Sequence, residues 1–241
     1  MEDFEDFEDF EDYGIRRLEG DVIEVNCLVT GDIVDILSEL KPKSVIFNED
    51  IVAELSDINE YWCEDLLSLH IGANVQNIYG FFFCHARSLE SITVSPQNNK
   101  LDSRNECNAI IESASNRLII GCKGTVIPLG VKEIAEYAYP SSPRVVSVPD
   151  GLEVIDHGAF EICSELKSIN FPDSVLKIGP YAFYECCLRD VVVPDSVVEI
   201  GEYAFWGNGD GVTLPEKFRN QYDQIYGSPD ELEDAFWDSL K

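Results

Sequence analysis

Short alternating segments recur along the chain. "LLSLHI", "LESITV", "LKSINF" and "LRDVVV" place an apolar residue at every second position near their ends. Period two marks a half-buried strand. In the third segment Ile169 and Phe171 face one way, and Ser168 and Asn170 the other. A proline follows in most copies, at Pro128, Pro149, Pro172, Pro194 and Pro215. Proline lacks the N–H that would continue a ladder, so it ends the strand. A turn comes next, with Asp-Ser or Asp-Gly in three copies. "VLKIG" and "VVEIG" then direct Val175 and Ile178, or Val197 and Ile200, into a core, and "YAF" adds Ala182 and Phe183, or Ala204 and Phe205. Gly179 and Gly201 are expected to permit a backbone turn that a β-carbon would hinder.

The copies align on Ile78, Ile134, Ile155, Ile178 and Ile200. The last three gaps are 21, 23 and 22 residues; the first is 56, one repeat plus an insertion of about thirty. A period in the twenties predicts a solenoid, because one coil cannot bury its own apolar edge and a stacked neighbour can. Within the insertion, "NAIIE" and "RLIIGC" flank "SASN", which predicts a β-hairpin over 101–124 on one coil edge.

The repeats "IPLGVKEIAEYAY", "VPDGLEVIDHGAF", "FPDSVLKIGPYAF" and "VPDSVVEIGEYAF" resemble the BspA-type leucine-rich repeats of bacterial surface proteins, over residues 66–215. Tyr139 departs from the pattern at the phenylalanine, Ala135 and Asp156 at the glycine, and "IYGFFFC" across residues 78–84. The resemblance implies an α/β-type repeat, mostly β: a leucine-rich-repeat solenoid with short parallel strands on its concave face. It also implies a surface adhesin or an interaction module.

The ends are less regular. Residues 15–65 read as divergent first repeats or a cap. In them, "GDIVDILSELKP" predicts a helix with Ile33, Ile36, Leu37 and Leu40 on one face and Asp32 as candidate N-cap. Residues 216–241 read as a helical C-terminal cap: Phe218, Tyr222, Ile225 and Tyr226 form one stripe, and Ser228 and Pro229 open a second helix. Residues 1–14 triplicate Glu-Asp-Phe and are expected to be a disordered acidic tail.

Charge narrows the partners. A formal net charge of −29 argues against nucleic acid and anionic membranes. No apolar run approaches the roughly 20 residues of a membrane span. The acidic start lacks the positive region of a secretory signal, so the expectation is cytoplasmic, with the cell surface or secretion as the alternative that the resemblance implies. Eight cysteines spread over 241 residues are not the dense framework of a small disulfide scaffold. Cys163 and Cys186 share a repeat position, which predicts reduced, buried thiols acting as small hydrophobes.

Candidate chemistry is sparse. The three histidines, His70, His85 and His157, show no metal-ligand spacing, and no phosphate loop or nucleophile elbow occurs. No catalytic residue, metal or cofactor is expected. What remains is surface. Stacking aligns outward strand positions into a column His70, Thr93, Val126, Ser147, Asn170, Val192, Thr213, beside a column Ser68, Ser91, Gly124, Val145, Ser168, Asp190, Gly211. From these, His70, Thr93, Ser147, Ser168, Asn170, Asp190, Val192 and Thr213 are the candidate protein-binding residues. Good strand formers would look alike on any exposed sheet, so both explanations stand. A glycan-binding module using Trp206, or a redox-responsive Cys186–Cys187 pair, is the reading from another class.

Overall fold

The computed structural model describes residues 10, 13–51 and 62–227. The chain opens with β1 (Ile15–Leu18) and β2 (Val22–Val25), an antiparallel pair. Helix α1 (Gly31–Leu40) follows, then β3 (Ser44–Phe47), β4 (Ser68–Ile71) and β5 (Ser91–Val94). Strands β2 to β5 pair in parallel and in register, Val22 with Ser44, Ser68 and Ser91 in turn. Helix α1 buries Ile33, Val34 and Leu37 as its spacing predicts. Its N-cap is Thr30, not Asp32, which lies in the first turn where its charge suits the helix dipole.

β6 (Leu101–Asp102), β7 (Ala109–Glu112) and β8 (Arg117–Gly121) form an antiparallel meander. From there two strand rows alternate along the chain. One row holds β9 (Glu133–Ile134), β11 (Val154–Ile155), β13 (Lys177–Ile178) and β15 (Glu199–Ile200). The other holds β10 (Val145–Ser147), β12 (Ser168–Asn170), β14 (Val191–Val192) and β16 (Val212–Thr213). Pairing is parallel at the repeat period: Ile134 with Ile155, Ile178 and Ile200 in one row, and Ser147 with Asn170 in the other. The fold is a mostly-strand repeat with few helices. After β16 come a 3-10 segment, Glu216–Gln221, and the single turn of α2 (Tyr222–Tyr226). These bury Phe218 and Ile225 against the last repeat. The helix expected from Ser228 lies outside the described residues, as does most of the acidic tail. Phe10 of that tail is buried in the N-terminal core.

The hairpin expected over 101–124 forms as β7 and β8, on the edge of the ladder that starts at β9. β8 pairs in parallel with β9, Leu118 beside Ile134, so the meander extends the ladder. Both its faces are buried. Ala109, Ile111 and Leu118 belong to the C-terminal core, and Ile110, Ile119 and Ile120 to the N-terminal one. A strand covered on both sides must be apolar at consecutive positions, and this explains "AII" and "LII".

The repeat motif explains itself in packing. Phe183 stacks between Phe160, 5.2 Å away, and Phe205, 5.3 Å away, with rings within 7° of parallel. Gly179 and Gly201 lie outside the positive-φ set, so their role is close approach rather than a turn. A β-carbon on Gly179 would lie 2.6 Å from the His157 nitrogen of the preceding coil. In "IYGFFFC", Phe82 stands where other copies have alanine, and it fills a space shared with Trp62 and Phe47. Trp62 satisfies its indole N–H on the Phe82 carbonyl at 3.2 Å.

Candidate interaction surfaces

The outward strand columns assemble, but in separate runs. Ser68 pairs with Ser91 and His70 with Thr93; Val145 pairs with Ser168 and Ser147 with Asn170; Val192 pairs with Thr213. Between β5 and β10 the row is interrupted: the coil bearing Gly124 and Val126 forms no strand, and Val126 is exposed with its N–H on the Cys107 carbonyl. Asp190 lies just before β14 with φ +54, a left-handed residue outside the pairing.

Several candidate side chains are already engaged. Ser68 donates to Ser44 at 2.7 Å, and His70 Nδ1 is hydrogen-bonded to Thr93 Oγ1 at 2.8 Å. Burial lowers the His70 pKa from its ordinary value, which keeps the ring neutral near pH 7. Asn170 accepts the Val148 N–H at 3.1 Å and donates to the Val148 carbonyl at 3.2 Å. It acts as a bracket between coils. The open part of the face is therefore Val145, Ser147, Ser168, Val192 and Thr213, all exposed, with Val145 at 64% and Val192 at 66%. Val192 and Thr213 also line a shallow groove with Asp173, Asp195 and Ser196.

A second feature had no signal in the alternating segments. Phe81, Tyr137, His157, Tyr181 and Tyr203 occupy successive coils with ring centroids 5.2 to 5.5 Å apart. A cleft of about 410 Å³ lies against Phe81 and Tyr137, with Arg87, Lys123, Glu161 and Glu165 in its walls. Burial raises the Tyr137 pKa, helped by Glu161 and Glu136. Glu161 is raised as well, by burial first and by Glu185, with His157 opposing. The tyrosine one residue before the core alanine in three copies, Tyr137, Tyr181 and Tyr203, was the available sequence signal. Trp206 stacks on Tyr184 at 4.6 Å, so it is half-covered by that ring.

The thiols have a definite bonding role. Cys163 donates to the Tyr139 carbonyl at 3.4 Å and Cys186 to the Phe160 carbonyl at 3.1 Å. Asn208 holds the same place one coil later and donates to the Phe183 carbonyl at 2.7 Å. The ladder position thus calls for a donor, which corrects the expectation of a plain small hydrophobe. Cys186 is buried and Cys187 exposed, so the vicinal pair is split between core and surface. Among the described residues no three His, Cys, Asp or Glu side chains converge as a metal site, and no helix is long and apolar enough to cross a membrane.

Parallel strands repeated every 21 to 24 residues, each followed by a buried Ala-Phe pair in the regular copies, define a leucine-rich-repeat-like protein. The model of the BspA type leucine rich repeat region matches six copies, at residues 41–117 and 132–233. The chain belongs to this family. Its structure is similar to a leucine rich cell surface protein from Faecalibacterium prausnitzii, with TM-score 0.54 and 17% identity, over 77% of this chain and 66% of that one. It is also similar to the pneumococcal vaccine antigen PcpA, with TM-score 0.52 and 20% identity, over 72% of this chain and 56% of that one. The chain thus spans under two thirds of the length of either protein. At these identities the likeness concerns the fold. No curated protein matches the chain.

Proposed function

We propose that the chain is a non-catalytic interaction module, a solenoid whose concave strand face binds a protein partner. The observation that carries this reading is the patch Val145, Ser147, Ser168, Val192 and Thr213, exposed, uncharged and aligned across neighbouring coils in a strongly acidic chain. Small uncharged groups lose little on desolvation, and a stacked array presents them as one extended surface. Leucine-rich repeats are typically non-enzymatic, which supports the same reading. The groove beside Val192 is rimmed by Asp173 and Asp195, so a neutral or basic partner fits it best.

Ser147→Arg and Val192→Arg are the informative variants, because neither side chain holds coils together. Asn170→Arg would remove two inter-coil hydrogen bonds and confuse folding with binding. A partner captured by the natural chain, from cell lysate or from host matrix extract, is expected to be lost by both variants at unchanged melting temperature. Retention by both would reject the face.

The second reading is an adhesin-like surface protein. It is favoured by the similarity to the Faecalibacterium cell surface protein. Protease shaving of intact cells separates the two: a surface protein is removed and an internal one survives.

A further inference from the structure

Three coils meet at the cleft of about 410 Å³. The first carries Phe81, whose ring centroid lies 5.2 Å from that of Tyr137 on the second. Gly80 allows this approach, since a β-carbon there would lie 2.7 Å from the Glu136 carbonyl oxygen. The second and third coils stack Tyr139 on Phe160 at 4.5 Å, and the Lys167 N–H bonds the Arg144 carbonyl at 3.0 Å. Between those two ties the second coil is shorter. Arg144 comes five residues after Tyr139, whereas Lys167 comes seven after Phe160. The shorter loop sets Pro140 and Ser142 back as the floor of the cleft. One wall holds Arg87 of the first coil and Lys123 from the end of the meander. The other holds Glu161 and Glu165 of the third coil.

The cleft thus carries both signs of charge on facing walls, and they do not close on each other. Among the described residues none of Arg87, Lys123, Glu161 and Glu165 forms an ion pair. Elsewhere exposed cations do find carboxylates, Lys132 with Glu153 at 2.7 Å and Lys177 with Glu199 at 2.9 Å. Here the first and third coils are two strand spacings apart, about 10 Å of backbone, which keeps the walls separate. Burial raises the Glu161 pKa, Glu185 adds to it and only His157 opposes, so no arginine or lysine compensates this carboxylate. Apolar groups complete the lining: the rings of Phe81 and Tyr137, and Ile162. Ile162 is 45% exposed and holds its β-branched side chain at φ +57, where the next coils have Glu185 and Gly207. Toward water, isoleucine gains nothing for that backbone cost; against an apolar ligand it does.

We propose that this cleft binds a zwitterion whose carboxylate and ammonium stand at opposite ends of an apolar stem, as in an ω-amino acid or the C-terminal lysine of a protein. The carboxylate takes the side of Arg87 and Lys123, the ammonium the side of Glu161 and Glu165, and the stem lies along Tyr137 and Ile162. Charge-assisted hydrogen bonds at each end supply the affinity, and the spacing of the walls selects the length of the stem. A simple anion would face Glu161 and a simple cation would face Arg87, so either half of the ligand alone is disfavoured. The volume suits a small molecule or one terminal residue. None of these side chains belongs to the exposed strand patch, so this site stands or falls separately from the protein-binding face.

The test is titration of the full-length chain with glycine, β-alanine, γ-aminobutyrate and ε-aminocaproate, followed by NMR at the amides of Tyr137, Glu161 and Ile162. Affinity should rise with stem length. Caproate and ε-aminocaproamide each lack one charge and should bind about tenfold more weakly than ε-aminocaproate, the usual worth of a charge-assisted bond. Nα-acetyl-lysine separates the two sources: if it binds as ε-aminocaproate does, the ligand is a protein C-terminus, and if ε-aminocaproate alone binds, it is a free amino acid. Arg87→Gln with Lys123→Gln should bind ε-aminocaproate and its amide equally. Glu161→Gln with Glu165→Gln should bind ε-aminocaproate and caproate equally. Ile162→Gly should weaken ε-aminocaproate several-fold while folding at least as stably. Melting temperatures establish that every variant is folded. The absence of amide shifts with all of these ligands overturns the proposal. So does equal affinity of the natural chain for the zwitterion and either singly charged analogue, or binding that the charge variants leave unchanged.

Discussion

Ile162 is the residue whose side chain fits its backbone least. It has φ +57 and is 45% exposed. Left-handed backbone costs a side-chain-bearing residue about 1–2 kcal/mol, and a β-branched one is an outlier there. The position is enforced, because the Ile162 N–H bonds the Tyr184 carbonyl of the next coil at 2.7 Å. In the following coils Glu185 and Gly207 hold the same place, also at positive φ. Ile162→Gly relieves the clash, loses little buried surface, and adds some unfolded-chain entropy. The expected net effect is a gain of about 0.5–1 kcal/mol, read as a higher urea midpoint at constant slope. An unchanged or lower midpoint would mean that the left-handed position carries no strain.

At the scale of elements, hydrophobic periodicity alone makes most of the repeat legible. Apart from the coil of Gly124 and Val126 and from Asp190, the columns pair where the alternating segments place them, and the inward Val, Ile, Ala and Phe are buried. The meander resists the same reading. "NAIIE" and "RLIIGC" announce strands, but their apolar runs have no period to show that both faces are covered, and no local signal gives the Leu118–Ile134 register. Hidden too is the part played by Asn108 beside the interruption in the outer row. Its Oδ1 accepts the Ile92 N–H at 2.6 Å and its Nδ2 donates to the Glu90 carbonyl at 2.8 Å, so a side-chain amide stands in for the missing strand residue. The open surface patch is half legible. Spacing gives the column, but only geometry shows that Ser68, His70 and Asn170 are occupied by their neighbours. Asn108→Ala should strand two backbone groups next to β5 and cost about 2 kcal/mol. Amide exchange should accelerate at Ile92 and not at Leu69, where the backbone pairing is intact. Equal rates at both sites in the variant would reject the bracketing role.

Across the whole molecule, the most deeply buried thiols and phenols are held neutral, and they shape its response to alkali. Burial pushes the Cys163 thiol up to about 12 from its ordinary 9.0. Burial also raises Cys63 and Cys186, with nearby cysteines adding to it. Tyr139 and Tyr226 are raised for the same first reason. In each case the folded chain holds its proton at a pH where the unfolded chain has released it. The sign follows: the folded state binds more protons above the ordinary thiol value, so stability falls as pH rises. The contribution is complete below about pH 9 and is lost between there and the folded values, at about 1.4 kcal/mol per pH unit for each thiol still protonated. Three such thiols acting together make the decline steep for a protein of ordinary stability. Urea midpoints should be level from pH 7 to about 8.5 and drop sharply by pH 10.5. Replacing Cys163 and Cys186 by alanine should lower the plateau and flatten the drop, because the titrating groups are gone, the Tyr139 carbonyl loses its thiol donor and the Phe160 carbonyl keeps only the Cys163 N–H. An identical alkaline slope in that double variant would show that the thiols do not govern the response.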